Sequence, residues 1–344
     1  MNRHASARPR AGRPQRTAGQ GLLAQSAAQE AIVLLFRKAV VPHAPDPHSV
    51  GAMTHASRHA VHDHGAHTVH AHEQDHDTGV QAEILDLDAE VLAEHIASIT
   101  AWLPVAATPR HIVDLGCGTG AGTLALLERF PGAEVSAVDT STSHLDRLRE
   151  KAEEKGLADR VHTVRADLDA AWPDLGTPEL VWASASMHHM ADPDRTLRQV
   201  HDMLAPGGLF AVVELAGFPR FLPEDAPEDR PGLEERCHAA LDQRHAEKVS
   251  HRGADWGPKL TAAGFTVEGL RTITVNLGPP PTDAVGRYAL TSLRRVRDGV
   301  AQALTAEDRT ALDRLLDTGS PHSILRRDDL TVRTERMVWA ARRS

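Results

Sequence analysis

The chain has 344 residues, 3% aromatic content and a formal net charge of −9, a length sufficient for one large domain or two modest ones with an aliphatic core. Residues 1–52 hold seven Lys/Arg against two Asp/Glu, so the remainder stands at −14, which argues against nucleic acid held by phosphate neutralisation. Two cysteines, Cys117 and Cys237, are too few for a disulfide framework or a Cys-rich zinc site, and make a reducing cytoplasmic compartment the default.

Residues 1–80 read as a disordered N-terminal extension. Residues 1–20 are rich in Arg, Pro, Ala and Gly without periodicity, a composition that buries too little apolar surface to order itself. The apolar run Ala31–Phe36 is far short of the roughly 20 residues of a membrane span, and no small-residue cleavage site follows Arg37-Lys38 as a signal peptide requires. The composition changes so sharply at Met53 that translation starting there is a working hypothesis. Residues 55–76 carry eight histidines, His55, His59, His62, His64, His67, His70, His72 and His76. Their irregular spacing lacks the ligand grammar of a structural zinc site and fits a weakly metal-binding tail.

Order is expected from residue 81. Ile84-Leu85, Leu87, Val91-Leu92, His95-Ile96 and Ile99 recur at three and four, which predicts amphipathic helices up to Trp102. From Arg110 strands and helices alternate: strand 110–115, helix 120–129, strand 133–138, helix 142–155, strands 160–165 and 178–184, helix 193–204 and strand 208–215. Such alternation with short links predicts an α/β fold with a doubly wound, mostly parallel sheet. Helices follow at 232–246 and 255–263, strand character returns at Gly264–Val267 and Arg271–Leu277, and helices 283–300 and 305–317 precede a last strand at 331–341. Thr305 is placed to cap the second of those helices.

Ligands in such sheets lie beyond the carboxyl ends of the strands, and there the polar residues line up. The first strand runs into Asp114-Leu-Gly116-Cys-Gly118-Thr-Gly120, a strand–loop–helix passage whose glycines let a ligand approach the backbone. The second strand ends at Asp139-Thr140, the third at Asp167-Leu168, and the fourth at Ser184-Ala-Ser-Met-His188-His189. An acidic residue about twenty positions beyond a glycine loop is placed to accept from both hydroxyls of a ribose. Asp139 meets that description, Asp167 could accept from an adenine amine beside Leu168, and Asp114 could orient an ammonium group.

The series Asp114–Gly120, Val138-Asp139, Ala166-Asp167-Leu168 and Leu204-Ala-Pro-Gly-Gly-Leu209 resembles the ordered motifs of the class I S-adenosylmethionine-dependent methyltransferases. The Ala183–His189 stretch resembles their small-molecule branch, which includes ubiquinone and menaquinone methyltransferases. The likeness covers roughly residues 80–276 and the final strand; segments 218–250 and 283–317 depart from it. It implies a Rossmann-like seven-stranded sheet over 81–344, its last strand inserted antiparallel, with those two segments as helical caps over the substrate. It further implies S-adenosylmethionine held by Asp114, Gly116, Gly118, Gly120, Asp139, Thr140, Asp167, Leu168 and Ser184, and a small organic acceptor rather than nucleic acid or a membrane.

Methyl transfer from a sulfonium is an in-line displacement in which the protein aligns the reactants and excludes water. A base is needed only for a hydroxyl, thiol or protonated amine, and His188 and His189 stand where one would act, imidazole being the side chain that exchanges protons near neutrality. Glu214, at the end of the fifth strand, is a further candidate for touching substrate. Tyr288, Leu290, Leu293 and Val296 form a helical stripe suited to core packing or to an acceptor pocket. Cys117 reads as a small filler, and Cys237 and His238 as neighbours that point apart. Two rivals share the loop. Gly116-Cys-Gly118-Thr-Gly120-Ala121 also satisfies a loose dinucleotide fingerprint, and a cofactor-binding domain without catalysis would keep every cofactor residue.

Overall fold

A computed structural model describes residues 79–245 and 254–344; the His-rich tract, the rest of the extension and residues 246–253 lie outside the described residues. Helix α1 covers 79–91, beginning two residues inside the stretch assigned to the extension. A turn at Leu92 separates it from α2 (Ala93–Trp102). There follow β1 (His111–Leu115), α3 (Ala121–Arg129), β2 (Glu134–Asp139), α4 (Thr142–Glu154), β3 (Val161–Arg165), β4 (Leu180–Ser184), α5 (Pro193–Met203) and β5 (Leu209–Leu215). The chain closes with α6 (Leu233–His245), α7 (Trp256–Ala262), β6 (Phe265–Leu277), α8 (Asp283–Val300), α9 (Ala306–Leu316) and β7 (Val332–Arg343).

The seven strands form one sheet in the order β3-β2-β1-β4-β5-β7-β6. The pairs from β3 to β5 are parallel, and β7 lies antiparallel between β5 and β6. The expected sheet is present with its inverted last strand, whereas a dinucleotide-binding sheet runs 3-2-1-4-5-6. The sixth strand differs from expectation. β6 is one strand of 13 residues that crosses Glu268-Gly269 on a bulge, because its partner β7 extends to Arg343 and keeps the pairing alive through the irregularity.

Local chemistry accounts for the helix starts. Ser141 Oγ accepts from the His144 amide, Asp192 from that of Arg195 ahead of Pro193, and Thr305, as expected, from that of Asp308. β1 and β4 are buried on both sides, as inner parallel strands must be. One face packs Ile112, Val135, Leu180 and Leu209 against α2, α3, α8 and α9, and the other packs Val113, Val138, Val181 and Phe210 with α5 and α7.

The helices of the 283–317 segment pack into the core. Tyr288, Leu290, Leu293 and Val296 are all buried in the first of those clusters, with Leu293 only 1% exposed. Leu293→Ala is therefore expected to lower the unfolding free energy by about 2–5 kcal/mol, read by urea denaturation; a change below ~1 kcal/mol would show α8 to be peripheral.

Candidate active site

The carboxyl edge of the sheet brings the predicted residues together. The loop after β1 folds back on β2: the Gly116 and Cys117 amides both donate to the Val138 carbonyl, at 2.8 and 2.9 Å. The Gly118 amide donates to Asp139 Oδ2 at 2.9 Å, and the Ser141 amide to Oδ1 at 2.8 Å. Asp139 is thus fixed by two backbone donors, with His144 Nδ1 3.4 Å from Oδ1. A carboxylate offers about four lone-pair sites, so two stay available to a diol. Gly120 is the N-cap of α3 at φ 91° and supplies no side-chain cap, leaving the helix start open to a ligand.

Asp114 is the most enclosed of the strand-end acids. Its side chain is buried, with the residue only 1% exposed, and Oδ2 accepts from Thr123 Oγ1 at 2.6 Å; the Thr123 amide is a second donor. The residue ties β1 to the first turn of α3. Burial first of all, and then the Asp139 charge, push its carboxyl up to about 7, with the Thr123 hydrogen bonds pulling the other way. Cys117 is buried, and burial together with Asp114 and Asp139 pushes its thiol well up, so it is a filler and no nucleophile.

The third strand end is more open. Asp167 is exposed and its Oδ1 accepts the Asp169 amide at 3.0 Å, while Leu168 beside it is 6% exposed. Thr140 is exposed, and its carbonyl accepts from Arg165 Nε at 3.3 Å. Ser184 closes β4 and pairs with Val213.

Beyond Ser184 the chain turns at Ala185, φ 50°, into a 3-10 turn at Met187–His189. Ser186 locks this turn to the glycine loop, Oγ donating to the Leu115 carbonyl at 2.7 Å. A Cβ on Gly116 would stand 2.5 Å from Ser186 Cβ, so the two loops meet only because residue 116 has no side chain. His188 is thereby held beside the loop, buried at 8% exposure. Its Nδ1 hydrogen bonds to Glu214 Oε2, and Glu214 Oε1 accepts the Met187 and His188 amides at 3.1 and 3.3 Å. A carboxylate on Nδ1 makes that atom the N–H donor and leaves the lone pair on Nε2, which is buried without a hydrogen-bond partner. His189 stacks on His188 with ring centroids 4.5 Å apart.

Glu214, expected to touch substrate, instead positions His188. Sequence reading missed that pairing, whereas α1, part of the 81–102 stretch read as helical, lies against the glycine loop. Leu85 Cδ1 of α1 would lie 3.1 Å from a Cβ on Gly118. Asp86 pairs with Lys151 and, at 2.8 Å, with Arg147, while Lys151 also donates to the Thr119 carbonyl at 3.0 Å. Burial opposes the Asp86 charge, but Lys151, Thr119 and Arg147 outweigh it and hold the carboxyl below its ordinary value. Asp88, on the same helix, takes Arg336 Nη2 and the Tyr288 hydroxyl, each at 2.7 Å. Cys237 and His238, both buried, make no pair: His238 Nδ1 faces Arg220 Nη1 at 2.5 Å. Among the described residues no group of three or more His, Cys, Asp or Glu is placed to hold a metal, and no helix is long and apolar enough to cross a membrane.

Comparison with known proteins bears on this edge of the sheet. Residues 112–208 match the methyltransferase domain family. The trans-aconitate 2-methyltransferase of Paracidovorax citrulli is 36% identical over 115 residues, 33% of this chain and 42% of its own. The malonyl-(acyl-carrier protein) O-methyltransferase of Halorhodospira halophila is 36% identical over 163 residues, 47% of this chain and 50% of its own. The demethylmenaquinone methyltransferase of Thermus thermophilus is 38% identical over 113 residues, 33% of this chain and 50% of its own. The chain spans no more than half the length of these curated relatives.

The buried acids set a pH dependence. Since the folded chain holds the Asp114 proton more tightly than the unfolded chain does, stability from this group is complete below about pH 4 and is lost as pH rises toward about 7. Glu234, also pushed up to about 7 by burial against the opposing Leu222 and Phe221 amides, adds a second slope of the same sign. Asp114→Asn, which keeps an acceptor for Thr123, is expected to flatten the unfolding free energy between about pH 4 and 7 by its own share and to leave that of Glu234. Urea melts at stepped pH would measure this, and an unaltered slope would show that Asp114 ionises freely in the fold.

Proposed function

We propose that this chain, whose residues 112–208 form a methyltransferase domain of the class I S-adenosylmethionine-dependent superfamily, transfers a methyl group to a small organic acceptor. The observation that carries the reading is the meeting, at one sheet edge, of the glycine loop, the backbone-anchored Asp139 and the His188–Glu214 pair, joined through Ser186. The residues present fit the cofactor. The start of α3 lacks a side-chain cap, and Asp139 keeps acceptor capacity at the distance along the chain where a ribose is held. Asp167 and Leu168 would flank the adenine, with Thr140 and Ser184 at the rims.

Bound there, S-adenosylmethionine supplies a methyl group already activated on a sulfonium. The chain's own residues then orient the acceptor, exclude water and take its proton. The 3-10 turn fixes His188 in position, Glu214 fixes its tautomer, and the free lone pair at Nε2 is the atom that would accept a proton from an acceptor hydroxyl, thiol or ammonium. His189 packs on that ring and supports it rather than acting as a second base. Helix α1, clasped at Asp86 and Asp88, keeps water from the loop.

The three relatives are named for unrelated acceptors, so the acceptor here has to be read from residues of this chain. Both cysteines are buried and unpaired, which supports residence in the reducing cytoplasm.

Titration of the full chain with S-adenosylhomocysteine is expected to give saturable one-site binding, and NAD none. Gly116→Ala should abolish that binding, because the new Cβ collides with Ser186. With an acceptor found by screening with labelled donor, His188→Gln should lower kcat by about 10²–10⁴-fold with S-adenosylhomocysteine affinity unchanged. Glu214→Gln should lower it less, with partial rescue by Glu214→Asp. Binding of NAD in place of S-adenosylhomocysteine, or full kcat in His188→Gln, would overturn the corresponding half of the reading.

A further inference from the structure

The clasp between α1 and the body of the molecule has an odd geometry. Arg336 on β7 is 6% exposed, and both oxygens of Asp88 crowd onto its Nη2, at 2.7 Å each. Its Nε is buried without a hydrogen-bond partner. Three arginines elsewhere meet a carboxylate in the planar fork, while others, such as Arg147 with Asp86 and Arg297 with Asp313, make a single contact through Nε. Arg236 gives Nε and Nη2 to the two oxygens of Asp308 at 2.9 and 2.8 Å, Arg327 gives the same atoms to Asp329 at 2.8 and 2.6 Å, and Arg342 to Glu268 at 2.6 Å each. The fork is the stronger arrangement, and those three arginines are more exposed than Arg336. At the buried site, where an unmade hydrogen bond costs most, the fork is not made, since a carboxylate tethered to α1 reaches Nη2 alone.

Tyr288, 2% exposed, donates its hydroxyl to the same carboxylate at 2.7 Å. Two donors from the body, on β7 and α8, thus converge on one acceptor that belongs to a different element. The place lies at the same end of β5 as the proposed base's partner: Arg336 is the register partner of Leu215, and although strand alternation turns Glu214 to the other face of the sheet, its charge acts on the guanidinium.

We propose that Arg336 and Tyr288 form a carboxylate-binding subsite for the acceptor, which Asp88 fills from α1 as an internal stand-in. The substrate class is then a small organic acid, whose carboxylate, free of the helix tether, takes Nε and Nη2 of Arg336 in the fork and the Tyr288 hydroxyl at its edge. Displaced, Asp88 gives up Arg336 while Asp86 keeps α1 over the glycine loop through Arg147 and Lys151. Calling the ligand an acceptor rests on the methyltransferase reading; the subsite itself does not.

The test uses the full chain and calorimetry with benzoate and succinate against benzamide and succinamide, each with and without saturating S-adenosylhomocysteine. The carboxylates are expected to bind and the amides not. Asp88→Asn, which weakens the internal competitor, should tighten carboxylate binding about tenfold. The double variant Asp88→Asn/Arg336→Gln, which leaves no unpaired buried charge at the clasp, should lose carboxylate binding while S-adenosylhomocysteine still binds. Asp88→Ala replaces Asp88→Asn should the latter fail to fold. Carboxylates bound no better than amides by the Asp88 variant, or bound equally well without Arg336, would overturn the proposal. Carboxylate binding that depends on Arg336 in a chain that does not take S-adenosylhomocysteine would keep the subsite and remove the methyltransferase reading instead.

Discussion

The contact between residues 116 and 186 governs this molecule's active edge. The loops that leave β1 and β4 approach so closely that any side chain at position 116 would collide with Ser186, and Ser186 in turn donates to the carbonyl just before the glycine loop. Everything chemical is hung on that junction. One way along the chain it fixes the loop that donates to Asp139; the other way it fixes the 3-10 turn that carries His188. A histidine two residues from such an anchor has little freedom left, and Glu214 removes the rest by taking Nδ1. Alignment of this kind lowers a displacement barrier without any strong interaction with the reacting atoms.

The two halves of the site are made of different material. On the cofactor side the contacts are largely main chain: amides of Gly116, Cys117, Gly118 and Ser141, and carbonyls of Val138 and Thr119. On the far side they are side chains from four elements, Asp88, Glu214, Tyr288 and Arg336. Main-chain contacts depend on backbone path and on glycine, so they recur wherever the path recurs. Side-chain contacts depend on identity at single positions, and there one domain family can diverge in what it accepts. Three relatives named for three unrelated acceptors are consistent with that division.

This division also explains what could be read from the sequence. Alternating strands and helices, the glycine loop and the acidic strand ends carry local, periodic signals, and the parallel part of the sheet emerged where they placed it, whereas the inversion of the last strand came only from the family resemblance. The Thr123 contact of Asp114 was not legible, since an acid before a glycine loop looks the same whether or not a helix hydroxyl donates to it. Glu214 was recognised as a strand-end acid, but its partner lies 26 residues upstream, and nothing in either neighbourhood marks the pairing. Asp88 and Arg336 are 248 residues apart. Asp88 reads as one polar position on an amphipathic helix and Arg336 as one on an alternating strand, and the sheet order alone brings them together.

Burial of that pair is itself an argument for function. An arginine inside a protein loses hydration that a partner only partly returns, and replacing a buried ion pair by apolar residues is often neutral or stabilising. A structural clasp could be built more cheaply with a solvated arginine, and the molecule has such a one in Asp86 with the exposed Arg147. The two clasps hold the same helix, one to the cofactor side and one to the far side. Redundancy of attachment leaves the inner one unexplained by stability alone. A charge kept inside, with a donor at Nε still unmatched, is accounted for if what it is built to hold is something other than Asp88.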